Sequence, residues 1–224
     1  MLVKDMEFVK DTLPFWRDLD EGQKGFMKEK LIERCYRQGR NIHDGEDCTG
    51  LLLVKSGQLR IFILSESGKE ITLFRLFEHD VCILSSSCVM RNITFDIQVQ
   101  AEKNSEILIM PAAVFKHLSG ANPAVKTFEA EIVSARLSDV MWVVEQVVFM
   151  SMDRRLANFL LEQSSIEGSD ELFITHDTIA RNLGTAREVI SRMLKYFESE
   201  GLVALTRGKV VLLDRKRLLE CADG

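Results

Sequence analysis

The chain has 224 residues, 46% of them hydrophobic and 28% charged, with three prolines and a formal net charge of −5. That length suffices for one large domain or two modest ones with real cores, and the overall charge excludes general, nonspecific affinity for nucleic acid. No apolar run approaches the roughly 18 residues that a membrane span needs, and the start, MLVKDMEFVKDTLPFW, carries acids where a signal peptide would be apolar, so a cytoplasmic location is expected.

After a short amphipathic start, the stretch from Leu31 to Leu84 breaks into short runs rich in Val, Ile, Leu and Phe, punctuated at Gly39, Gly45, Gly57 and Gly68. Such spacing predicts a β-sandwich or barrel. SGQLRIFILSESGKEITLFRL reads as a hairpin with a tight Ser-Gly turn. ITFDIQVQAEKNSEILIMP supplies two further strands, closed by Pro111. Residues 13–111 are therefore expected to form a β-roll with a few helical pieces. The five cysteines (35, 48, 82, 88 and 221) form no C-x-x-C pair, and their odd number argues against a disulfide framework. They read as small buried hydrophobes in a reducing compartment.

From Asn122 to Met150 there is no glycine, and the one proline, Pro123, stands where a first helical turn tolerates it. Ala130, Val133, Leu137, Val140, Val144, Val147 and Ser151 recur at alternating steps of three and four, an a/d seam. A second apolar line runs through Phe128, Ile132, Ala135 and Trp142. One line can pack the helix on its own domain and the other on a twin helix, with Val133, Leu137, Val140, Val144 and Val147 as the dimer contacts. A buried helix of a monomer is the competing reading. A fresh helix, SMDRRLANFLLEQSS, follows a hinge near residues 151–153, with Ser151 or Asp153 able to cap it. Then come a loop and a short strand, IEGSDELFI.

THDTIARNLGTAREVISRMLKYF divides into helix, turn and helix. Thr175 is the expected N-cap of the first helix, which Gly184 ends at no steric cost in the left-handed region. Thr185-x-x-Glu188 has the capping-box pattern for the second. At 100° per residue, Val189, Ile190, Met193, Leu194 and Phe197 share one arc of that helix. Arg187, Glu188, Ser191, Arg192 and Lys195 share the other. Between Thr175 and Arg217 nine Lys/Arg face five acids, a local +4 in a chain that carries −9 elsewhere. A carboxylate among cations suits base readout better than phosphate binding: an arginine fork matches guanine O6/N7 and a glutamate accepts from cytosine N4. The bland alternative leaves Glu188 closing the capping box and Arg192 pairing with it at i+4. GLVALTRGKVVLL then reads as a hairpin turning at 206–209, whose Arg207 and Lys209 could reach phosphates as a wing would. Ala180, Gly184 and Ile190 stand at the fifth, ninth and fifteenth positions of the helix-turn-helix pattern.

With VKSGQLRIFILSESGKEITLFRLFEHD in the roll, the long helix, and TAREVISRMLKYFESEGLV at the end, nearly the whole chain resembles the Crp/Fnr superfamily of bacterial transcription regulators. The resemblance implies an α+β architecture: a jelly-roll-like sensor over residues 1–121, a dimerisation helix over 122–150, and a winged helix-turn-helix over 151–224. It implies a homodimer on a two-fold symmetric operator, one recognition helix per half-site, with RNA polymerase as a further partner. Arg187, Glu188 and Arg192 match the family's base readers, Ser191 matches a reader of the oxygen-responsive branch, and a TGTGA-like half-site follows. Thr175, Thr185, Lys195, Arg207 and Lys209 complete the expected DNA-contacting set.

The sensor departs from the named branches. Leu84 and Ser85 stand where the cyclic-AMP branch has Gly-Glu, and Phe95 and Asp96 where it has Arg-Ser, which argues against cyclic AMP. No cysteine precedes Cys35, so the N-terminal iron–sulfur ligand set is missing; Cys35, Cys48, Cys82 and Cys88 have no recognisable cluster spacing, and His79 with Cys82 is thin support for haem. CILSSSCVM lies where the family's ligand pocket is, giving Cys82, Ser85, Ser86, Ser87, Cys88, Arg91 and Thr94 as candidates for contacting an unidentified effector. Cys82 or Cys88 could instead be a redox-sensitive thiol, or the serines could simply open a short helix. Two other functions compete: a metal-dependent cupin-like enzyme, poorly supported by four scattered histidines (43, 79, 117 and 176), and an interaction module that has lost DNA reading.

Overall fold

The computed structural model describes residues 6–43, 49–86 and 97–224. The chain starts with α1 (Met6–Thr12), a 3-10 turn (Pro14–Asp18) and α2 (Glu21–Lys30). Asp20 caps α2 reciprocally: its carboxylate accepts from the Gln23 amide at 2.7 Å, and its own amide donates to Gln23 Oε1 at 3.1 Å.

Among the described residues eight strands follow: β1 (Ile32–Tyr36), β2 (Asn41–His43), β3 (Leu51–Ser56), β4 (Leu59–Leu64), β5 (Glu70–Leu76), β6 (Val81–Cys82), β7 (Gln98–Ala101) and β8 (Ser105–Met110). They form two four-stranded sheets, ordered β1-β8-β3-β6 and β2-β7-β4-β5. The glycine-punctuated short runs of the sequence are thus the strands of a β-roll. Registers pair Leu52 with Ile109 and Arg60 with Gln100, both antiparallel. β7 shows the two-residue period: Val99 and Ala101 are sealed, while Gln98 and Gln100 are half-exposed. β3 does not alternate, because Leu51 to Val54 are all buried.

The β3–β4 turn needs a glycine. Gly57 has φ of +91°, and a Cβ there would collide with the Asn104 carbonyl oxygen and Ser105. Ser105 Oγ accepts from the Gln58 amide at 3.1 Å, locking this turn to the one before β8. Arg75, almost wholly buried, meets Glu102 at 2.7 Å beside the same turns.

Next come α3 (Ala112–Ala121) and α4 (Pro123–Phe149), separated by Asn122. Pro123 takes the first position of α4, where its missing N–H costs nothing. The two apolar lines of α4 behave differently from expectation. Phe128 packs edge-on against Phe15 at 5.1 Å and Ile132 is buried, but Ala135 is exposed and Trp142 is 47% exposed. Within this line, burial ends at Ile132.

The remainder comprises α5 (Met152–Glu167), β9 (Glu171–Leu172), α6 (His176–Leu183), α7 (Arg187–Ser199), β10 (Val203–Thr206), β11 (Lys209–Leu212) and α8 (Arg215–Asp223). β10, β11 and β9 form a three-stranded antiparallel sheet. Ser151 occupies the N-cap of α5 without a side-chain bond to its amides; its hydroxyl instead holds the Asp153 carboxyl below the usual range. No helical period in the sequence announces α8, although Leu218 and Ala222 bury a face of it. The chain separates into two compact units, Met1–Leu64 with Leu73–Val140, and Ser65–Thr72 with Met141–Gly224. No described helix is long and apolar enough to cross a membrane.

Candidate nucleic-acid interface

The second unit is built around Leu156, Phe159, Leu160, Ile179, Leu183, Ile190, Leu194 and Phe197, closed by Leu202, Val210 and Leu218. Burying each such side chain contributes roughly 1.5–3 kcal/mol, so this core fixes α6 and α7 against α5 and the wing sheet. Thr175 caps α6 as expected, its Oγ1 accepting from the Thr178 amide at 3.1 Å. Gly184 ends α6 in the left-handed region at φ of +65°. Arg155, 8% exposed, reaches from α5 to donate to the Leu183 carbonyl at 2.6 Å, satisfying an end carbonyl of α6 with a positive charge.

The start of α7 differs from the sequence pattern. Its N-cap is Ala186, with no side-chain cap, so the Thr185–Glu188 capping box does not form. The Thr185 amide is already committed to the Ala180 carbonyl at 3.0 Å, part of the turn that Gly184 makes. The helix consequently begins one residue later, and Glu188 is left free of the box.

From there the division into faces is sharp. Ile190, Leu194 and Phe197 are 0% exposed, with Val189 and Met193 half-buried. Arg187, Glu188, Arg192 and Lys195 are exposed, and among the described residues none of the four has an ion pair within the protein. The i+4 pairing of Arg192 with Glu188 is therefore absent as well. Ser191 lies on the same face but is engaged: its Oγ is 2.9 Å from His176 Nδ1. The sequence gives His176 no role at this face, because a lone histidine beside a helix cap has no spacing signature. Burial, then the Arg187 and Lys195 cations, push its pKa below the usual 6.5.

The wing hairpin β10–β11 turns through Arg207 and Gly208, which has φ of +75°. Arg207 is exposed. Lys209 is half-buried, 2.5 Å from the Glu171 carboxylate and 5.5 Å from the centre of the Phe173 ring. Its charge is thus already partly answered within the protein. Between the starts of α6 and α7 and the wing tip lies a cleft of about 460 Å³, lined among others by Thr175, His176, Arg187, Arg207 and Lys209. Thr185 is half-buried behind Gly184 and lies outside that lining.

In the roll, Cys82 and Ser85 are fully buried. Ser85 Oγ donates to the Gly50 carbonyl at 2.6 Å, and burial pushes the Cys82 thiol up, away from its reactive thiolate form. Residues 84–86 make a 3-10 turn. Cys48, Ser87, Cys88, Arg91, Thr94, Phe95 and Asp96 lie outside the described residues, as does the side chain of Ser86. Cys35 is exposed and Cys221 half-buried, so only Cys82 of the described cysteines is the buried hydrophobe expected of all five. His79 adopts φ of +67°, stacks on Phe8 at 4.9 Å and sits 2.9 Å from Thr12 Oγ1, engaged in holding α1. Among the described residues no three His, Cys, Asp or Glu side chains gather as a metal site. Arg136, which the sequence did not single out, lies over Phe74 at 4.7 Å and bonds Asp139 at 2.8 Å.

On α4, Val133 and Val140 are half-buried, while Leu137 is 60%, Val144 43% and Val147 48% exposed. Met141, Val148 and Phe149 widen the apolar stripe.

Comparison with known proteins agrees with this geometry. A family model described as a Crp-like helix-turn-helix domain matches residues 154–221, and one described as a cyclic nucleotide-binding domain matches residues 34–122. A crystal structure of a crp/fnr-family protein from Eubacterium rectale is 50% identical, covers 96% of this chain and 100% of that one, and superposes with a TM-score of 0.94. The cAMP-activated global transcriptional regulator CRP of Pasteurella multocida is 22% identical over 201 residues, 87% of this chain and 95% of its own. Transcriptional activator protein anr of Pseudomonas aeruginosa is 25% identical over 232 residues, 100% of this chain and 87% of its own.

Proposed function

Since the chain belongs to the Crp/Fnr family of transcription regulators, whose members are not enzymes, we propose that it works as a homodimer on a two-fold symmetric DNA operator. The observation that carries this reading is the face of α7. Its inner arc is sealed in the core, and Arg187, Glu188 and Arg192 stand exposed without internal ion partners among the described residues. Desolvating an arginine that has no partner to lose is favourable when a guanine edge replaces water, and Glu188 supplies selectivity for a cytosine amino group. Ser191 adds a hydroxyl to the same groove-facing set. Thr175, Thr185, Lys195, Arg207 and Lys209 hold the phosphates, Arg207 foremost because Lys209 already faces Glu171.

The twin copy is called for by α4. Leu137, Val144 and Val147, flanked by Val133 and Val140, offer water a stripe that a second α4 would cover in knobs-into-holes fashion. Residues 1–121 then sense, 122–150 pair and 151–224 read, in the cytoplasm and with RNA polymerase as a protein partner. A small-molecule or redox signal in the roll sets the equilibrium between reading and non-reading dimers. Cyclic-AMP activation, named for the P. multocida relative, does not carry over. Leu84 and Ser85 replace the ribose-binding pair, and the Ser85 hydroxyl is already engaged by Gly50. With Cys82 and Ser85 buried, effector contact falls to the remaining candidates, Ser86, Ser87, Cys88, Arg91 and Thr94.

Selection of duplexes from a random pool tests the reading. Enrichment of an inverted repeat with half-sites about one helical turn apart is expected. Recovery of no sequence, or of one asymmetric site bound by a monomer, would overturn it.

A further inference from the structure

The cleft beside α7 contains an imidazole that the set of DNA contacts above does not include. We propose that His176 is a phosphate contact that becomes charged only on DNA, so that each recognition helix takes up a proton from solvent when it seats. The proposal rests on the reading of α7 as the groove-facing helix.

His176 is the first residue of α6 and lines the cleft with Thr175, Arg187, Arg207 and Lys209. From α7 it is faced by Arg187, Lys195 and the neutral Ser191; from the wing, by Arg207 and by Lys209 with its partner Glu171; on its own helix, by Asp177, which pairs with Arg181 at 3.2 Å. Two cations, Arg187 and Lys195, thus bear on it directly, Arg207 and the engaged Lys209 share its cleft, and the neighbouring carboxylates have partners of their own. In the free protein this company and the partial burial favour neutral imidazole, and its pKa is lowered accordingly. A DNA phosphate entering the cleft reverses the field: it offsets the cations and gives the imidazolium a counter-ion. Among the described residues lining the cleft, His176 alone is of a type that titrates near neutrality.

Protonation also settles the Ser191 hydroxyl. In neutral His176, Nδ1 can accept the Ser191 hydrogen across the 2.9 Å contact. With both ring nitrogens protonated, Nδ1–H must donate to Ser191 Oγ, while Nε2–H is left for the phosphate. The Ser191 hydrogen is then released to a base acceptor in the groove. Phosphate contact and base contact become coupled through one ring.

The test uses the full-length dimer and the duplex recovered by selection, with affinity measured from about pH 6 to pH 8, the range that histidine spans. Wild type should lose affinity as pH rises, by up to ~tenfold per pH unit for each His176. His176→Gln, which can still bond Ser191, should bind with a flatter profile, and His176→Arg should bind tightly at every pH. In NMR, the His176 Hε1 resonance should titrate at higher pH in the complex than in free protein, a readout that a purely structural histidine would not give. If His176→Gln retains the wild-type slope, or the resonance titrates alike with and without DNA, the proposal is overturned while DNA reading stands. No duplex binding at any pH would instead overturn the regulator reading, and this one with it.

Discussion

Arg155 carries a structural charge that the reading face depends on. A guanidinium held 8% exposed donates to the Leu183 carbonyl, at the point where the chain leaves α6 for the turn into α7. Arg155→Met should leave that carbonyl unpaired and lower stability by about 1.5–3 kcal/mol, measured as a reduced urea midpoint at unchanged slope. The exposed arginines are the converse: Arg192→Ala should scarcely alter the urea midpoint yet cost about 1–3 kcal/mol of binding to the preferred half-site, read by titrating labelled duplex. At this scale the reading face was legible, because the 100° repeat separates Ile190, Leu194 and Phe197 from Arg187, Glu188 and Arg192 without tertiary information. The capping box was not. Thr185-x-x-Glu188 has the right letters, but the Thr185 amide is committed to Ala180, a bond set by the left-handed turn at Gly184 rather than by α7.

Among the elements, α4 and the α6–α7 turn carry the most consequence. Glutamate in place of Leu137 or Val144 would set a charge in the stripe proposed to meet its twin. Leu137→Glu should shift the protein to monomer in analytical ultracentrifugation and leave the melting temperature of the second unit nearly unchanged. Gly184→Ala forces a Cβ into the left-handed region, at about 1–2 kcal/mol, and 3.3 Å from Ile71. Thermal unfolding should show the loss. The long helix was readable from its glycine-free heptads, but how far its inward line extends was not. Phe128 meets Phe15 and Ile132 is buried, whereas Ala135 and Trp142 are exposed, and only the fold decides where burial stops. α8 escaped notice because its single turn of apolar residues, Leu218 and Ala222, lacks a repeat long enough to register a helical period.

For the molecule as a whole, charge is divided in a way that suits its proposed partner: +4 between Thr175 and Arg217, −9 over the rest. The acidic remainder discourages indiscriminate coating of DNA, while the basic patch supplies local attraction. Binding should weaken steeply with salt, and Arg207→Ala should reduce the logarithmic salt slope by about 1 per protomer across all sequences. The β-roll and the winged reader were both visible in the pattern of short glycine-bounded strands followed by helical periods. The signal was not, because ligand choice rests on a few side chains whose roles depend on burial. Ser85 looks from the sequence like a free hydroxyl in a pocket, yet it is sealed and bonded to Gly50.

The most direct test of base reading by α7 is to measure Arg187→Ala against wild type on the selected operator and on every single base-pair variant of one half-site. Loss of discrimination at one base pair, by about 1–3 kcal/mol, with preferences elsewhere intact, is the expected result. Equal weakening on every sequence would make Arg187 a phosphate contact and contradict base reading by this helix.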